Sequence, residues 1–472
     1  MNYLSLNPIQ ASALERLGIE TLTPMQEAAL FASREPQNVI LLSPTGTGKT
    51  VAYLLPLLEA FAQSETVADE VAAIVVVPSR ELALQIESVF KDMHTPWRGM
   101  AVYGGRPAMD EHRVLRALKP QLVVGTPGRL NDHLAKGNID ASHVTTLVID
   151  EFDKCLELGF HDEMQTLIGH LPAAVRRRLI SATDAPELPQ FVGLGRYVRL
   201  DYRAARPTDD VATSTEGPAL TTWLVRSPEK DKLFTLYRLL CSLDGSRAIV
   251  FCNYREAAER IGSFLREQRL VLAVYHGGLE QDLRERALYK FRNGSVNVLV
   301  STDLASRGLD IPEVQHIIHY HLPTNEEANI HRTGRTARWD AAGNTYYILG
   351  PDEKAPDYLP VAENAPQTES TAGDEAATMV KNYALPEIPH RPAPPVWETL
   401  YIGKGKKDKL NKVDIAGFLY KKGNLTKEDV GRIDVQDHYC YVAVRRTKVR
   451  QLLSLVSGEK IKNLKTIIDI AR

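Results

Sequence analysis

Short apolar runs separated by helical patterns dominate the chain as far as about residue 350. The runs at 39–42, 73–77, 100–103, 121–124, 146–149 and 178–180 are continuous rather than alternating. Continuous runs of that length predict strands buried on both faces, as in a parallel sheet. With helices between them, the order is βαβ and both sheet faces are covered. A polar gap bearing Pro and Gly, from about 201 to 218, interrupts the pattern as a linker. A second alternating set follows at 248–252, 271–275, 296–301, 314–319 and 345–349. From 351 to 398, prolines stand at 351, 356, 360, 366, 386, 389, 392, 394 and 395 among Ser, Thr, Asp and Glu. That composition cannot bury a core of its own and predicts an extended or disordered tether. The pattern then restarts: strand at 399–402, helix at 412–419, strands at 432–435 and 439–444, helix at 449–457, strand at 466–470. This β-α-β-β-α-β order fits a small ferredoxin-like sheet. The expected fold class is α/β: two parallel-sheet domains in tandem, over 1–205 and 217–350, an acidic Pro-rich linker over 351–398, and a small α+β domain over 399–472.

Composition narrows the functional classes. An apolar fraction of 44% and a charged fraction of 25% are those of a globular protein able to bury a core in each domain. Cys155, Cys241, Cys252 and Cys440 are scattered with no C-x-x-C pair, which argues against a zinc site or a disulfide framework and for a reducing cytoplasm. The N-terminal residues lack the basic and apolar regions of a signal peptide, and no run approaches a membrane span. A cytoplasmic monomer with no membrane partner is expected. The net charge of -2 hides an asymmetry, because residues 401–472 hold 17 Lys+Arg against 8 Asp+Glu. A basic tail on an acidic body points to a polyanionic partner, with a solvated charged face as the plainer alternative.

The chemistry gathers where apolar runs end. After the run at 39–42 comes Ser43-Pro44-Thr45-Gly46-Thr47-Gly48-Lys49-Thr50, and then a helical pattern. Strand, glycine-bearing loop and helix make a phosphate cradle: inward N–H groups and the helix dipole meet an anion. Lys49 supplies a point charge for the β/γ-phosphates, and the Thr50 hydroxyl is a ligand for Mg²⁺. The first glycine of the general pattern is Ser43 here, and a plain helix-capping loop is the competing reading. After the run at 146–149 come Asp150-Glu151-Phe152-Asp153. Adjacent acids at a strand end call for a cation, so Asp150 partners Mg²⁺ and Glu151 orients or deprotonates an attacking water; a helix-capping cluster is the alternative. Ser181-Ala182-Thr183 follows the last run of the first domain, and the Gln26 amide can read an adenine edge. In the second domain, His331-Arg332-Thr333-Gly334-Arg335-Thr336-Ala337-Arg338 packs three arginines and a histidine together. That density suggests recognition of a phosphoryl-transfer transition state, against a surface basic helix.

Taken in order, these segments resemble those of the DEAD-box RNA helicases. The matching segments are Thr23-Pro24-Met25-Gln26, 43–50, Pro78-Ser79-Arg80-Glu81-Leu82-Ala83, Gly104-Gly105, Thr126-Pro127-Gly128-Arg129, 150–153 and 181–183. In the second domain they are Phe251, Gln281-Asp282-Leu283-Arg284, Ser301-Thr302-Asp303, Arg307-Gly308-Leu309-Asp310 and 331–338. The resemblance implies two RecA-like domains that close over ATP and RNA together. It implies that Gln26 reads adenine, that Thr45, Gly46, Thr47, Gly48, Lys49 and Thr50 hold phosphates and metal, and that Asp303 lies near the ribose. It makes Arg335 and Arg338 the fingers and puts His331 near the γ-phosphate. It also implies that Arg80, Gly105, Thr126, Arg129, Gln281, Arg284 and Thr302 line the RNA backbone, and that a bent bound strand parts a short duplex locally.

Three positions depart from the family pattern. Phe152 replaces an alanine and needs an apolar slot behind the site; Ile19 occupies the aromatic slot near adenine, with Tyr3 as a compensating ring; Ala337 replaces a glycine. The tail resembles the RRM-like RNA-binding domain of DbpA-type helicases at 399–409, 413–415, 430–433 and 439–444. That resemblance implies recognition of a hairpin in large-subunit ribosomal RNA and a role in ribosome assembly. Tyr401, Tyr439 and Tyr441 are candidate base-stacking rings, although alternation puts Tyr439 and Tyr441 on one face, a possible core face. Lys404, Lys406, Lys407, Lys409, Arg445 and Arg446 are candidate phosphate contacts. Two competing functions are a DNA helicase or translocase of the same superfamily and an ATP-independent RNA-binding or annealing protein. Gln26, Thr126–Arg129 and the tail argue against the first; Lys49, Glu151, Arg335 and Arg338 argue against the second.

Overall fold

The structure, a computed structural model, describes residues 6–35, 37–44, 46–63, 69–105, 108–157, 159–184, 188–203, 220–306, 314–336, 343–359, 380–387 and 390–471. The chain divides near residue 213 into two compact units. Among the described residues, no helix is long and apolar enough to cross a membrane.

The first unit is built on strands β1 (Asn38–Leu42), β2 (Ala73–Val76), β3 (Gly99–Val102), β4 (Leu122–Gly125), β5 (Thr146–Asp150), β6 (Arg176–Ser181) and β7 (Tyr197–Asp201). They form one sheet in the order β3-β4-β2-β5-β6-β1-β7, and each pairing is parallel. The central strands are buried at nearly every position, so their residues are apolar on both sides. One face packs Val75, Val124 and Val148 against Leu54, Leu58 and Ile86. The other packs Ile74, Val123 and Ile149 against Leu130, Met164 and Leu167. Burial alternates along β7, as an edge strand requires, and its sequence offers no apolar run.

The second unit holds strands β8 (Leu220–Arg226), β9 (Ala248–Phe251), β10 (Leu272–Tyr275), β11 (Val298–Ser301), β12 (His316–His319), β13 (Gly343–Leu349) and β14 (Lys381–Asn382). Their order is β10-β11-β9-β12-β13-β8-β14, again parallel throughout. The same unit carries the tail: β15 (Trp397–Ile402), β16 (Val430–Val435), β17 (Cys440–Arg445), a small hairpin of β18 (Lys460–Ile461) and β19 (Leu464–Lys465), and β20 (Ile468–Ile470). The antiparallel order β16-β17-β15-β20, with helices Lys412–Lys421 and Arg446–Leu455, is the ferredoxin-like arrangement the sequence predicts.

The linker differs from the expected tether. Its described residues, turns within 351–359 and extended segments beyond 380, are packed on the second unit. Lys381–Asn382 adds an edge strand to β8. The Tyr383 ring meets Trp223 and Tyr346 edge-on, and Arg238 donates to the carbonyl of Pro386. A segment too polar to build its own core thus adds apolar side chains to cores of the second unit, Tyr383 and Leu385 to one and the buried Leu359 to another.

Candidate nucleotide and nucleic-acid sites

In the first unit the functional candidates stand beyond the carboxyl ends of β1, β2, β4 and β5, where an open parallel sheet presents ligand-binding loops. Gly46 and Gly48 have φ of 84° and 85°, so the loop turns through left-handed conformations that favour glycine. A Cβ on Gly48 would lie 2.5 Å from Nε2 of Gln26. That amide donates to the Gly48 carbonyl at 3.2 Å, while its Oε1 accepts from the Thr23 N–H at 2.9 Å. Capping of the helix Pro24–Ala32 therefore brings Gln26 against the loop. Lys49 Nζ donates to the carbonyls of Ser43 and Pro44 at 2.7 and 3.1 Å, and the Ser43 and Thr47 hydroxyls are 2.8 Å apart. Ser43 thus takes part in the loop through its side chain where the general pattern has glycine. Thr45 and Tyr3 lie outside the described residues. Ile19 is packed beside Leu14, Val51 and Leu55.

The acid pair is sharply defined. Asp150 ends β5 and is 3% exposed. Its Oδ1 accepts from the Glu151 N–H at 2.9 Å, and its Oδ2 accepts from the Tyr53 hydroxyl at 3.0 Å. Glu151 adopts φ of 50°, left-handed backbone that costs a non-glycine residue about 1–3 kcal/mol and clusters at functional sites. Thr183 Oγ1 donates to Asp153 at 2.6 Å, tying the 181–183 segment to the acids. Phe152 finds the slot its bulk requires: it is buried in the cluster of Ile40, Leu42, Ile149 and Leu179. Burial, reinforced by the Glu151 charge, raises the Asp150 carboxyl from its ordinary 3.8 to about 6, against the opposing pull of Lys49. Tyr53, which the sequence did not single out, is fully buried and holds the Asp150 carboxylate from the helix that begins at Lys49. The buried Asp150 carboxylate and the adjacent Glu151 offer oxygen donors of the kind Mg²⁺ takes.

A pH dependence follows. Between pH 3.8 and about 6 the folded chain holds a proton on Asp150 that the unfolded chain has released. Stability therefore falls as pH rises through that window, by about 3 kcal/mol in total. Asp150→Asn removes this cost. In EDTA at pH 7.5, scanning fluorimetry should show the first unit of the variant melting about 5–10 °C above wild type, with the gap closing toward pH 4.

The expected RNA-backbone residues of this unit are held by partners. A Cβ on Gly105 would sit 2.2 Å from Arg80 Nη1, so glycine there admits the guanidinium. Thr126 stands at the N-cap of the helix Pro127–Ala135 without a side-chain capping bond, and that helix carries Arg129 on its first turn. Arg129 and His133 both reach Glu111 Oε2 at 3.0 Å, and the Tyr103 N–H donates to its Oε1 at 3.1 Å. Glu111 is buried and orients Arg129; in the first turn of its helix, where acids are ordinary, it gave no sequence signal.

In the second unit, Gln281 and Arg284 occupy the first turn of the helix Gln281–Arg292. Arg284 Nη2 donates to Gln281 Oε1 at 2.6 Å. Thr302 and Asp303 follow β11. His331 and Arg335 are buried, at 1% and 4% exposure; Arg338, Ala337 and 307–310 lie outside the described residues. Arg332 does not join an anion-receiving group. It is fully buried, pairs with Asp303, donates to the His321 carbonyl at 2.9 Å and to Asn253 Oδ1 at 2.8 Å, and lies over the Phe251 ring. Its role is to knit four segments of this domain together.

In the tail, Lys406 and Lys407 lie on the turn Lys406–Asp408, braced by their N–H groups on the carbonyls of Gln436 and Asp437. Lys404 pairs with Asp408 at 2.9 Å. Arg446 is turned inward, donating to the carbonyls of Pro395, Trp397 and Ser295. Tyr441 is buried, and Tyr401 and Tyr439 are half-buried, so the tyrosine face is largely covered. Tyr401, Tyr439 and Tyr441 pack with Tyr289 of the helix Gln281–Arg292, with the rings of Tyr289 and Tyr441 stacked at 5.0 Å. The Tyr289 hydroxyl donates to the carbonyls of Arg432 and Tyr441, and the Tyr439 hydroxyl to Glu285 Oε2 at 2.8 Å.

Family models match along the chain: the DEAD/DEAH box helicase over 23–190, the helicase conserved C-terminal domain over 231–340 and the DbpA RNA binding domain over 399–470. The ATP-dependent RNA helicase DbpA of Escherichia coli is 33% identical over 97% of this chain and 96% of its own length. The chain belongs to the DEAD-box RNA helicases. DbpA of Bacillus subtilis is 29% identical over 95% of both chains. Among solved structures, Mss116p bound to ssRNA and AMP-PNP superposes with a TM-score of 0.64 at 27% identity, covering 74% of this chain and 73% of its own. For a DEAD-box helicase, the loop, the acid pair and the tail domain are thus accounted for by the family, whereas Tyr53, Glu111 and Arg332 emerge from this structure's own contacts.

Proposed function

We propose that this DEAD-box helicase couples hydrolysis of Mg²⁺-bound ATP to local parting of short RNA duplexes, and that its tail ties it to structured ribosomal RNA during assembly of the large subunit. The observation that carries the catalytic part is the Asp150–Glu151 pair, one acid buried and the other in left-handed backbone, on the same sheet edge as Lys49. Thr50 and Asp150 would hold the metal, which, when bound, draws charge from the phosphates. Lys49 adds a fixed positive charge, Gln26 engages adenine, and Glu151 takes the proton of the attacking water. Arg335, Arg338 and His331 meet the charge that develops on the transferring phosphoryl group.

Support for RNA comes from the family, from the bound ssRNA of Mss116p and from the DbpA domain match. Contacts through Arg80, Thr126, Arg129, Gln281, Arg284 and Thr302 would engage phosphates and 2′-hydroxyls, which favours RNA over DNA without base reading. With Tyr441 buried and Tyr401 and Tyr439 half-buried against Tyr289, the tail's more open recognition surface is basic, centred on Lys404, Lys406 and Lys407. The deciding measurement is ATP turnover with matched RNA and DNA oligonucleotides. Stimulation by RNA at least tenfold above DNA is expected; equal stimulation would favour a DNA translocase.

For the tail, replacing Lys404, Lys406 and Lys407 by Ala should lower the slope of log affinity against log salt by about 2–3 on a large-subunit ribosomal RNA fragment. An unchanged slope would remove this loop from the RNA-binding surface. These replacements are a better test than deleting 399–472, which would strip the cover from Tyr289.

A further inference from the structure

The helix Gln281–Arg292 has two jobs that meet at one side chain. Its first turn carries Gln281 and Arg284, and its later turns receive the tail's tyrosine face. Glu285 stands between them. Its Oε1 accepts from Gln281 Nε2 at 2.9 Å, and its Oε2 accepts from the Tyr439 hydroxyl at 2.8 Å. Gln281 Oε1 in turn accepts from Arg284 Nη2 at 2.6 Å. The chain Tyr439–Glu285–Gln281–Arg284 is therefore continuous from the tail sheet to the proposed RNA path.

We propose that Tyr439 is a positioning residue for RNA: by fixing the Glu285 carboxylate it orients Gln281 and Arg284 toward the backbone of the bound strand. The inference rests on the reading that Gln281 and Arg284 line that path. Three physical arguments support it. Hydrogen bonds to an ionised carboxylate are stronger than neutral ones, so Tyr439 is a firm anchor for one oxygen of Glu285. With that oxygen taken, the other is directed at the Gln281 amide N–H. An amide whose N–H is held cannot flip, so its carbonyl stays aimed at Arg284. Arg284 is itself buried, at 5% exposure, which leaves its guanidinium few other orientations. In this arrangement the tail does more than hold a second piece of RNA. Its docking sets the geometry of the RNA-contacting turn in the helicase domain.

The test uses the full chain and a short unstructured RNA, such as an oligo(U), that offers the tail no hairpin. Tyr439→Phe keeps the ring and removes the hydroxyl. It should weaken oligo(U) binding in the presence of a non-hydrolysed ATP analogue by about three- to tenfold. Adding Tyr439→Phe to Gln281→Ala should give no further loss. Tyr289→Phe removes two hydrogen bonds to the tail backbone without touching Glu285, and should leave oligo(U) affinity within twofold of wild type. If Tyr439→Phe binds like wild type, or if Tyr289→Phe loses as much, the hydroxyl is only part of a docking surface and the inference is wrong. If Gln281→Ala binds oligo(U) like wild type, the RNA-path reading itself fails and takes this one with it.

Discussion

Arg335→Ala should cut RNA-stimulated ATP turnover by about a thousandfold or more while leaving nucleotide affinity within threefold of wild type. The nucleotide cradle belongs to the first unit, whereas Arg335 lies two residues beyond the helix Glu326–Thr333 of the second. In the role proposed for it, Arg335 would meet charge that develops only during transfer, so the loss should fall on kcat. Arg335→Lys should lose nearly as much, because an ammonium cannot reproduce the planar fork of donors. The neighbouring Arg332 provides the contrast. Among the described residues it is the largest fully buried side chain, and it is committed to Asp303, Asn253 and His321. Arg332→Ala should therefore lower the melting temperature of the second unit, and its activity loss should track the unfolded fraction. Steady-state turnover and melting curves on the two variants separate the roles. An Arg335→Ala enzyme within tenfold of wild-type kcat would remove it from the transition state.

The contrast between Arg332 and Arg335 also shows where sequence reading reaches its limit. Three arginines in eight residues signal an anion, but density alone does not say which way each points. That depends on Asn253 and His321, remote in sequence and adjacent only in the folded sheet. The parallel strands were legible because burial on both faces forces continuous apolar runs. Strand β7 was not, since an edge position permits the alternating Tyr-Val-Arg-Leu-Asp, and β14 is two polar residues recruited by pairing alone. In the tail, the shared face of Tyr439 and Tyr441 was readable from the two-residue period. What covers it was not, because the cover is a helix about 150 residues earlier in the chain. The nucleotide loop and acid pair were readable because phosphate and metal chemistry restrict residue types locally. Tyr53 and Glu111, which act by orienting other side chains, carry no such restriction and look like ordinary helix residues until their partners are known.

Glu151→Gln should lower single-turnover ATP hydrolysis by about 10² to 10⁴, the range expected when a positioned general base is removed. The amide has nearly the same shape as the carboxylate, and the left-handed backbone at 151 is set by the end of β5 and the start of the helix Phe152–Glu157 rather than by the side chain's charge. The cradle should therefore still bind nucleotide, and RNA bound together with ATP should persist because the step that releases it is slowed. The substitution carries a second, independent signature. After burial, the Glu151 charge is the next largest influence raising the Asp150 carboxyl to about 6. Removing that charge leaves burial as the main remaining upward influence, so Asp150 should ionise at lower pH. In EDTA above pH 6, Glu151→Gln should then melt above wild type, by less than Asp150→Asn does. In the proposed role of the two acids, stability and catalysis should move in opposite directions, because holding them together costs the fold. Slow hydrolysis with no gain in melting temperature would mean that Glu151 acts on water but does not press on Asp150. Unchanged single-turnover hydrolysis would assign the proton to another group and leave the left-handed residue at the end of β5 without a catalytic reason.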